Sequence, residues 1–145
     1  MIFLFFFLFF INIKSQIQIN KCFEVNNFEN YQRDNSKLII KGNATMGPCS
    51  SETDWEFETD SIQYIQFEES VKSIGKECFN QFQNVIQIEF KEGLESIEEG
   101  CFEGLKFTQI QFPASLKSIM KYSFANCKYL EQISFSSDSQ LNLIQ

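Results

Sequence analysis

No histidine occurs among the 145 residues, which removes the side chain most often used as a base near neutral pH and the commonest metal ligand. The five cysteines contain no close CxxC pair, so a zinc site is not expected either. A phosphate-cradling loop is missing too: Gly93, Gly100 and Gly104 are separated by other elements, and no GK[ST] follows them. Basic runs are absent, with 12 Lys and Arg against 19 Asp and Glu and a net charge of −7. That balance argues against nucleic acid or anionic lipid as a partner, since nothing is present to neutralise phosphates. The carboxylates, including Glu68-Glu69 and Glu98-Glu99, fall at turns where solvated charge is ordinary. The expectation is a protein that is not an enzyme and uses neither a metal nor a cofactor.

Only one long apolar run exists, and it stands at the N-terminus. Met1 to Phe10 carries no charge, and Ile11-Asn12-Ile13 closes the run before Lys14-Ser15-Gln16. It is short for a membrane span and lacks a basic flank, and its position suggests a secretory signal peptide over residues 1–15. No second hydrophobic segment follows, so no integral membrane segment is expected after cleavage, and the product should be secreted or held at the cell surface.

What is present is repetition. Val71-Lys-Ser-Ile74, Cys78-Phe79 and Ile88-Glu-Phe90 recur as Leu94-Glu-Ser-Ile97, Cys101-Phe102 and Ile110-Gln-Phe112, then as Leu116-Lys-Ser-Ile119, Ser123-Phe124 and Ile133-Ser-Phe135. Ile65, Ile88, Ile110 and Ile133 are spaced by 23, 22 and 23 residues. Isolated apolar residues at fixed offsets with this period predict a leucine-rich repeat solenoid. Residues 61–145 then form about three and a half units of 22–25 residues.

Each IxF stretch alternates apolar and polar residues, which reads as a strand with isoleucine and phenylalanine inward. Four of these stacked in parallel make a sheet roughly 14 Å across. Short helical or irregular turns are expected on the opposite side, with Gly93, Gly104 and the Pro113-Ala114-Ser115 corner marking where the chain turns. The interior is predicted to be ladders of like residues, so the 18 phenylalanines, shared among leader, ladders and cap, need no ligand to explain them.

Residues 16–60 show no period and read as an N-terminal capping segment, since an uncovered first coil exposes apolar surface and a strand edge. Leu38-Ile39-Ile40 suggests a short strand, and the alternation in Trp55-Glu-Phe57 suggests another. Trp55 is large enough to close over the core. Cys22 and Cys49 flank this segment and are the first choice for a disulfide. Cys78 and Cys101 share one repeat offset and read as small core residues, although adjacent coils also bring such positions within bridging range. Cys127, at the offset of Phe82 and Leu105, reads as packing. Asn43-Ala44-Thr45 is a glycosylation acceptor pattern in a turn.

The repeated units resemble leucine-rich repeats of the BspA-like, or Treponema pallidum-type, class. The closest run is Ile110-Gln-Phe112-Pro113-Ala-Ser-Leu116-Lys-Ser-Ile119, continuing through Ser123-Phe124 and Asn126-Cys127 to Leu130. Cysteine replaces the usual alanine at Cys78 and Cys101, and proline is kept only at Pro113. With the leader and an Asn/Phe/Ile-rich composition, the chain looks like secreted or surface members of this class from anaerobic protists such as trichomonads. The resemblance implies adhesion to host cells, matrix or other microbes, through a surface protein or glycan.

The residues themselves nominate a face. Tyr64, Gln87, Gln109 and Gln132 make one outward file, and Gln66, Glu89, Gln111 and Ser134 the next. Stacked donors and acceptors suit protein or glycan recognition. An outward strand face must be polar anyway, and stacked glutamines can pair with one another. The alternative is therefore a structural secreted or surface-layer scaffold, or a truncated repeat protein with no specific ligand. Leu141 to Ile144 lacks a polar cover and suggests end-to-end self-association.

Overall fold

The computed structural model describes residues 31–41, 46–49, 55 and 57–145. Its chain winds as a parallel solenoid of about four turns, with strands on two sides and almost no helix. The leader, Cys22 and Asn43 lie outside the described residues.

The first side is built from the IxF stretches. Strand β1 (Tyr31–Asp34) and β2 (Lys37–Ile40) form an antiparallel hairpin. Its turn places Asn35 at a positive φ of 49°, a conformation that asparagine tolerates. Strand β3 (Tyr64–Phe67) then pairs in parallel with β2, Leu38 beside Ile65 and Ile40 beside Phe67. The ladder therefore begins one strand earlier than the repeats are visible in sequence. Leu38-Ile39-Ile40 has the same inward alternation as an IxF stretch, with Leu38 and Ile40 fully buried.

On the second side, each LxxI stretch supplies a two-residue strand: β4 (Ser73–Ile74), β6 (Ser96–Ile97), β8 (Ser118–Ile119) and β10 (Leu143–Ile144). All pair in parallel and in register, Ile74 beside Ile97 beside Ile119. Between the sides run turns, not helices. The only helical piece among the described residues is a single 3₁₀ turn, Thr59–Ser61.

The turn before each Cys-Phe or Ser-Phe pair needs a left-handed residue. Glu77, Gly100 and Tyr122 take it at φ of 58°, 66° and 62°, so only the middle repeat uses glycine where glycine is least strained.

The core is stacked by residue type. Phe79, Phe102 and Phe124 lie nearly face to face, with centroids 5.6 and 5.5 Å apart and planes 14° and 19° from parallel. A second column runs through Phe67, Phe90, Phe112 and Phe135 at 5.3, 6.0 and 5.4 Å. Such pairs contribute about 0.5–1.5 kcal/mol beyond burial. Stacking also explains why the chain repeats like with like: a solenoid rise near one strand spacing leaves room for one ring per coil. On the last coil the columns lie open, with Ile133 53% and Phe135 47% exposed.

Trp55 and Phe57 are not on a strand. Both sit at bends, because the indole turns down onto the first coil. Its N–H donates to the Cys78 carbonyl at 3.2 Å, and its ring meets Phe79 and Phe82 at 5.5 and 5.1 Å. Residues 46–49 run alongside β4, where the Met46 N–H donates to Ser73 O and the Cys49 N–H to Lys76 O, each at 3.1 Å.

The cysteines follow the same packing logic. Cys78 and Cys101 are buried at equivalent places, with buried Ser123 on the third coil. They do not bridge each other. The Cys78 sulfur lies 2.8 Å from that of Cys49, and the Cys101 thiol donates to Gly75 O at 2.8 Å. Burial pushes the Cys101 thiol well above its usual range. The half-buried Cys127 thiol donates to Phe102 O. Cys22, expected to bridge to Cys49, is outside the described residues.

Candidate binding face

Outward residues of the IxF strands come together as their alternation predicts. Tyr64 lies beside Gln87 and Gln66 beside Glu89 on β3 and β5 (Gln87–Phe90). Gln109 lies beside Gln132 and Gln111 beside Ser134 on β7 (Gln109–Phe112) and β9 (Gln132–Phe135).

The sheet is not continuous, however. The expected four-strand stack of IxF strands breaks between β5 and β7, which share no ladder. Pro113 removes one closing rung at one end. At the end of each earlier pairing an N–H closes a rung, Glu68 to Ile40 O and Lys91 to Phe67 O, both at 3.0 Å. The equivalent position after β7 is Pro113, which has no N–H to give. This unit is also one residue shorter than its neighbours, 22 against 23. Phe90 and Phe112 accordingly stand 6.0 Å apart, the widest step in their column. A cleft of about 680 Å³ opens here, lined by β5, β7, the ends of β9 and the residues flanking them.

The eight outward residues divide into two chemical groups. Tyr64, Gln66 and Glu89 are partly buried and engaged with one another. The Tyr64 hydroxyl donates to Glu89 and lies 3.3 Å from Gln66 Oε1, while the Gln66 amide donates to Glu68. Lys91 donates to Glu89, and the Lys37 ammonium lies 4.6 Å over the Tyr64 ring. Burial, reinforced by the Glu89 carboxylate, pushes the Tyr64 phenol up to about 12. Lys91 first and then Tyr64 hold the Glu89 carboxyl below its usual range.

Gln87, Gln109, Gln111 and Gln132 are different. All four are exposed, and no hydrogen bond ties any of their side chains to the described residues. The glutamines do not pair with one another. Ser134 is half-buried and donates to Ile110 O at 3.4 Å. The unengaged amides face the cleft, and the engaged network lies to its β3 side.

Two contributors escaped the sequence reading. Glu92 accepts from the N–H groups of Ala114 and Ser115 at 2.9 and 3.1 Å and so ties one coil's corner to the next. These donors, Ala114 foremost, hold its carboxyl below the usual range. Lys91 caps the engaged network. Pro113 was a legible signal for the break, because the strand register puts it on a rung. Among the described residues, no cluster of His, Cys, Asp or Glu is arranged to hold a metal ion, and no helix is long and apolar enough to cross a membrane.

Comparison with known proteins places this geometry in context. The family model described as "BspA type Leucine rich repeat region" matches residues 53–145 in 6 copies. Among solved structures the chain is similar to a leucine rich cell surface protein from Faecalibacterium prausnitzii, with 26% identity and a TM-score of 0.52 over 55% of this chain and 21% of that one. It is also similar in fold to the pneumococcal vaccine antigen PcpA, with 22% identity and a TM-score of 0.53 over 86% of this chain and 41% of that one. The chain thus spans well under half the length of either protein. No curated protein matches it.

Proposed function

We propose, for a chain that belongs to the BspA-type leucine-rich repeat family, a non-enzymatic recognition role in adhesion, secreted or at the cell surface. The observation that carries this reading is the row of exposed glutamine amides, Gln87, Gln109 and Gln132, with no partner among the described residues, beside an open cleft. The similarity to a leucine rich cell surface protein supports the location.

The test is binding of the purified full chain to intact cells and to matrix-coated surfaces. Replacing Gln87, Gln109 and Gln132 together by glutamate keeps the strand pattern and places three charges on the face. Binding should fall about tenfold or more, against an unchanged circular dichroism spectrum. Equal binding by the variant, or no binding by the parent chain, would favour a scaffold role without a ligand on this face.

A further inference from the structure

The cleft between β5 and β7 has a chemistry more particular than a general contact surface. Resting on the recognition role above, we infer that it receives a neutral, extended oligosaccharide, with successive sugar rings seated over Gln87, Gln109 and Gln132.

Hydrogen-bonding capacity comes first. A primary amide both donates and accepts, as does a sugar hydroxyl. The three glutamines are exposed and unengaged. The sides of β5 and β7 that face each other carry no ladder, so their backbone groups add further donors and acceptors along the cleft.

Charge then narrows the class. Glu89 and Glu92 stand on the lining, Lys91 is tied to Glu89, and the whole chain carries −7. A sulfated or uronic polymer meets repulsion here, whereas a neutral one does not.

Apolar content separates a glycan from a protein partner. Tight protein recognition is dominated by desolvated aromatic and arginine anchors. Of the lining residues, Ile86 alone is a large, strongly exposed apolar side chain, at 60%, and Phe112 lies beneath at 3%.

Periodicity agrees. Gln109 and Gln132 stand on the paired strands β7 and β9, which recur at roughly 4.8 Å, and equatorially linked pyranose rings in an extended chain recur at a similar pitch. Same-face side chains of an extended peptide recur at roughly 6.8 Å, a longer step than the one between these strands.

The experiment is calorimetric titration of the full chain with neutral β-linked oligomers, from dimer to hexamer, of glucose, galactose, mannose and N-acetylglucosamine. A β-linked uronate series serves as the charged control. At least one neutral series should bind, with affinity rising until three or four rings are engaged and then levelling. Gln109→Ala should weaken binding about tenfold, while Lys121→Ala, after β8 and off the lining, should change it less than about twofold.

No binding by any neutral series at roughly millimolar concentration, equal binding of the uronates, or indifference to Gln109→Ala overturns the inference. If the triple glutamate variant still loses cell binding, the oligosaccharide assignment falls alone. If cell binding is also unaffected, the recognition face falls with it.

Discussion

Gly75 lies so close beneath Gly47 that a Cβ on residue 75 would stand 2.2 Å from the Gly47 carbonyl oxygen and 2.3 Å from that of Met46. Both obstacles are backbone and cannot rotate aside. Gly75→Ala should therefore lift residues 46–49 from β4 and break the rungs from Met46 and Cys49. Overpacking of this kind costs about 1–3 kcal/mol. A thermal melt should show a matching drop, with faster amide exchange at Met46 and Cys49; a melt unchanged from the parent would mean the segment is not pinned there.

The phenylalanine column makes a graded prediction. Phe102 is fully buried between Phe79 and Phe124, so Phe102→Ala should cost about 3–5 kcal/mol. Phe135 has the same chemistry but is 47% exposed on the last coil. Its truncation should cost about 1 kcal/mol or less. Urea unfolding of the two variants measures the difference, and equal losses would mean the coils are not stacked through this column.

That gradient also marks what sequence could and could not reveal. Ile88, Ile110 and Phe102 announce their places because inward residues repeat at fixed offsets. Leu38 and Ile40 occupy the same ladder, yet the hairpin before them removes the repeat context. Trp55 was misread as a strand residue, since two-residue alternation around it is also produced by a bend that turns both rings inward. On the candidate face, position and polarity were legible. The separation into engaged Tyr64, Gln66, Glu89 and unengaged glutamines was not, because it depends on reach across strands.

Acid should weaken the fold through three carboxylates. Ala114 and Ser115 hold Glu92 below its ordinary value of 4.5, Lys91 and Tyr64 do so for Glu89, and Lys117 for Glu95. A group depressed in the folded state stabilises it above the unfolded value and loses that contribution as pH falls through the folded one. Melting temperature should thus hold down to the ordinary carboxylate range and decline below it. Because none of these groups is fully buried, added salt should shrink the part due to Lys91 and Lys117, while the Glu92 part should persist. Glu92→Gln should flatten the acid limb; an unchanged slope would show that the corner clamp is not formed in solution.

The left-handed turn separates local strain from packing. Gly100 and Tyr122 share a backbone conformation, with φ of 66° and 62°, and Tyr122 is 64% exposed. Gly100→Ala should destabilise by about 1–2 kcal/mol. Tyr122→Gly relieves the same strain while adding unfolded-state freedom worth about 0.4–1 kcal/mol, so it should be neutral or slightly stabilising. Chemical denaturation of both reads the sign. A large loss from Tyr122→Gly would mean that the tyrosine ring carries packing the exposed position does not suggest.

Pro113 links the fold to the face most directly. Pro113→Ala supplies the missing N–H opposite Phe90 O, where the preceding coils have a rung at 3.0 Å. A new hydrogen bond contributes about 0.5–1.5 kcal/mol, and loss of the proline's restriction on the unfolded chain costs about 0.4–1 kcal/mol. Overall stability should therefore barely change, which makes the variant informative about geometry alone. If the absent rung holds the cleft open, β5 and β7 should draw together, the new residue 113 amide should exchange slowly, and ligand affinity should fall although none of the three glutamines has been altered. A fast-exchanging amide at residue 113 with undiminished binding would place the cause of the opening in the shorter unit, whose missing residue no single substitution restores.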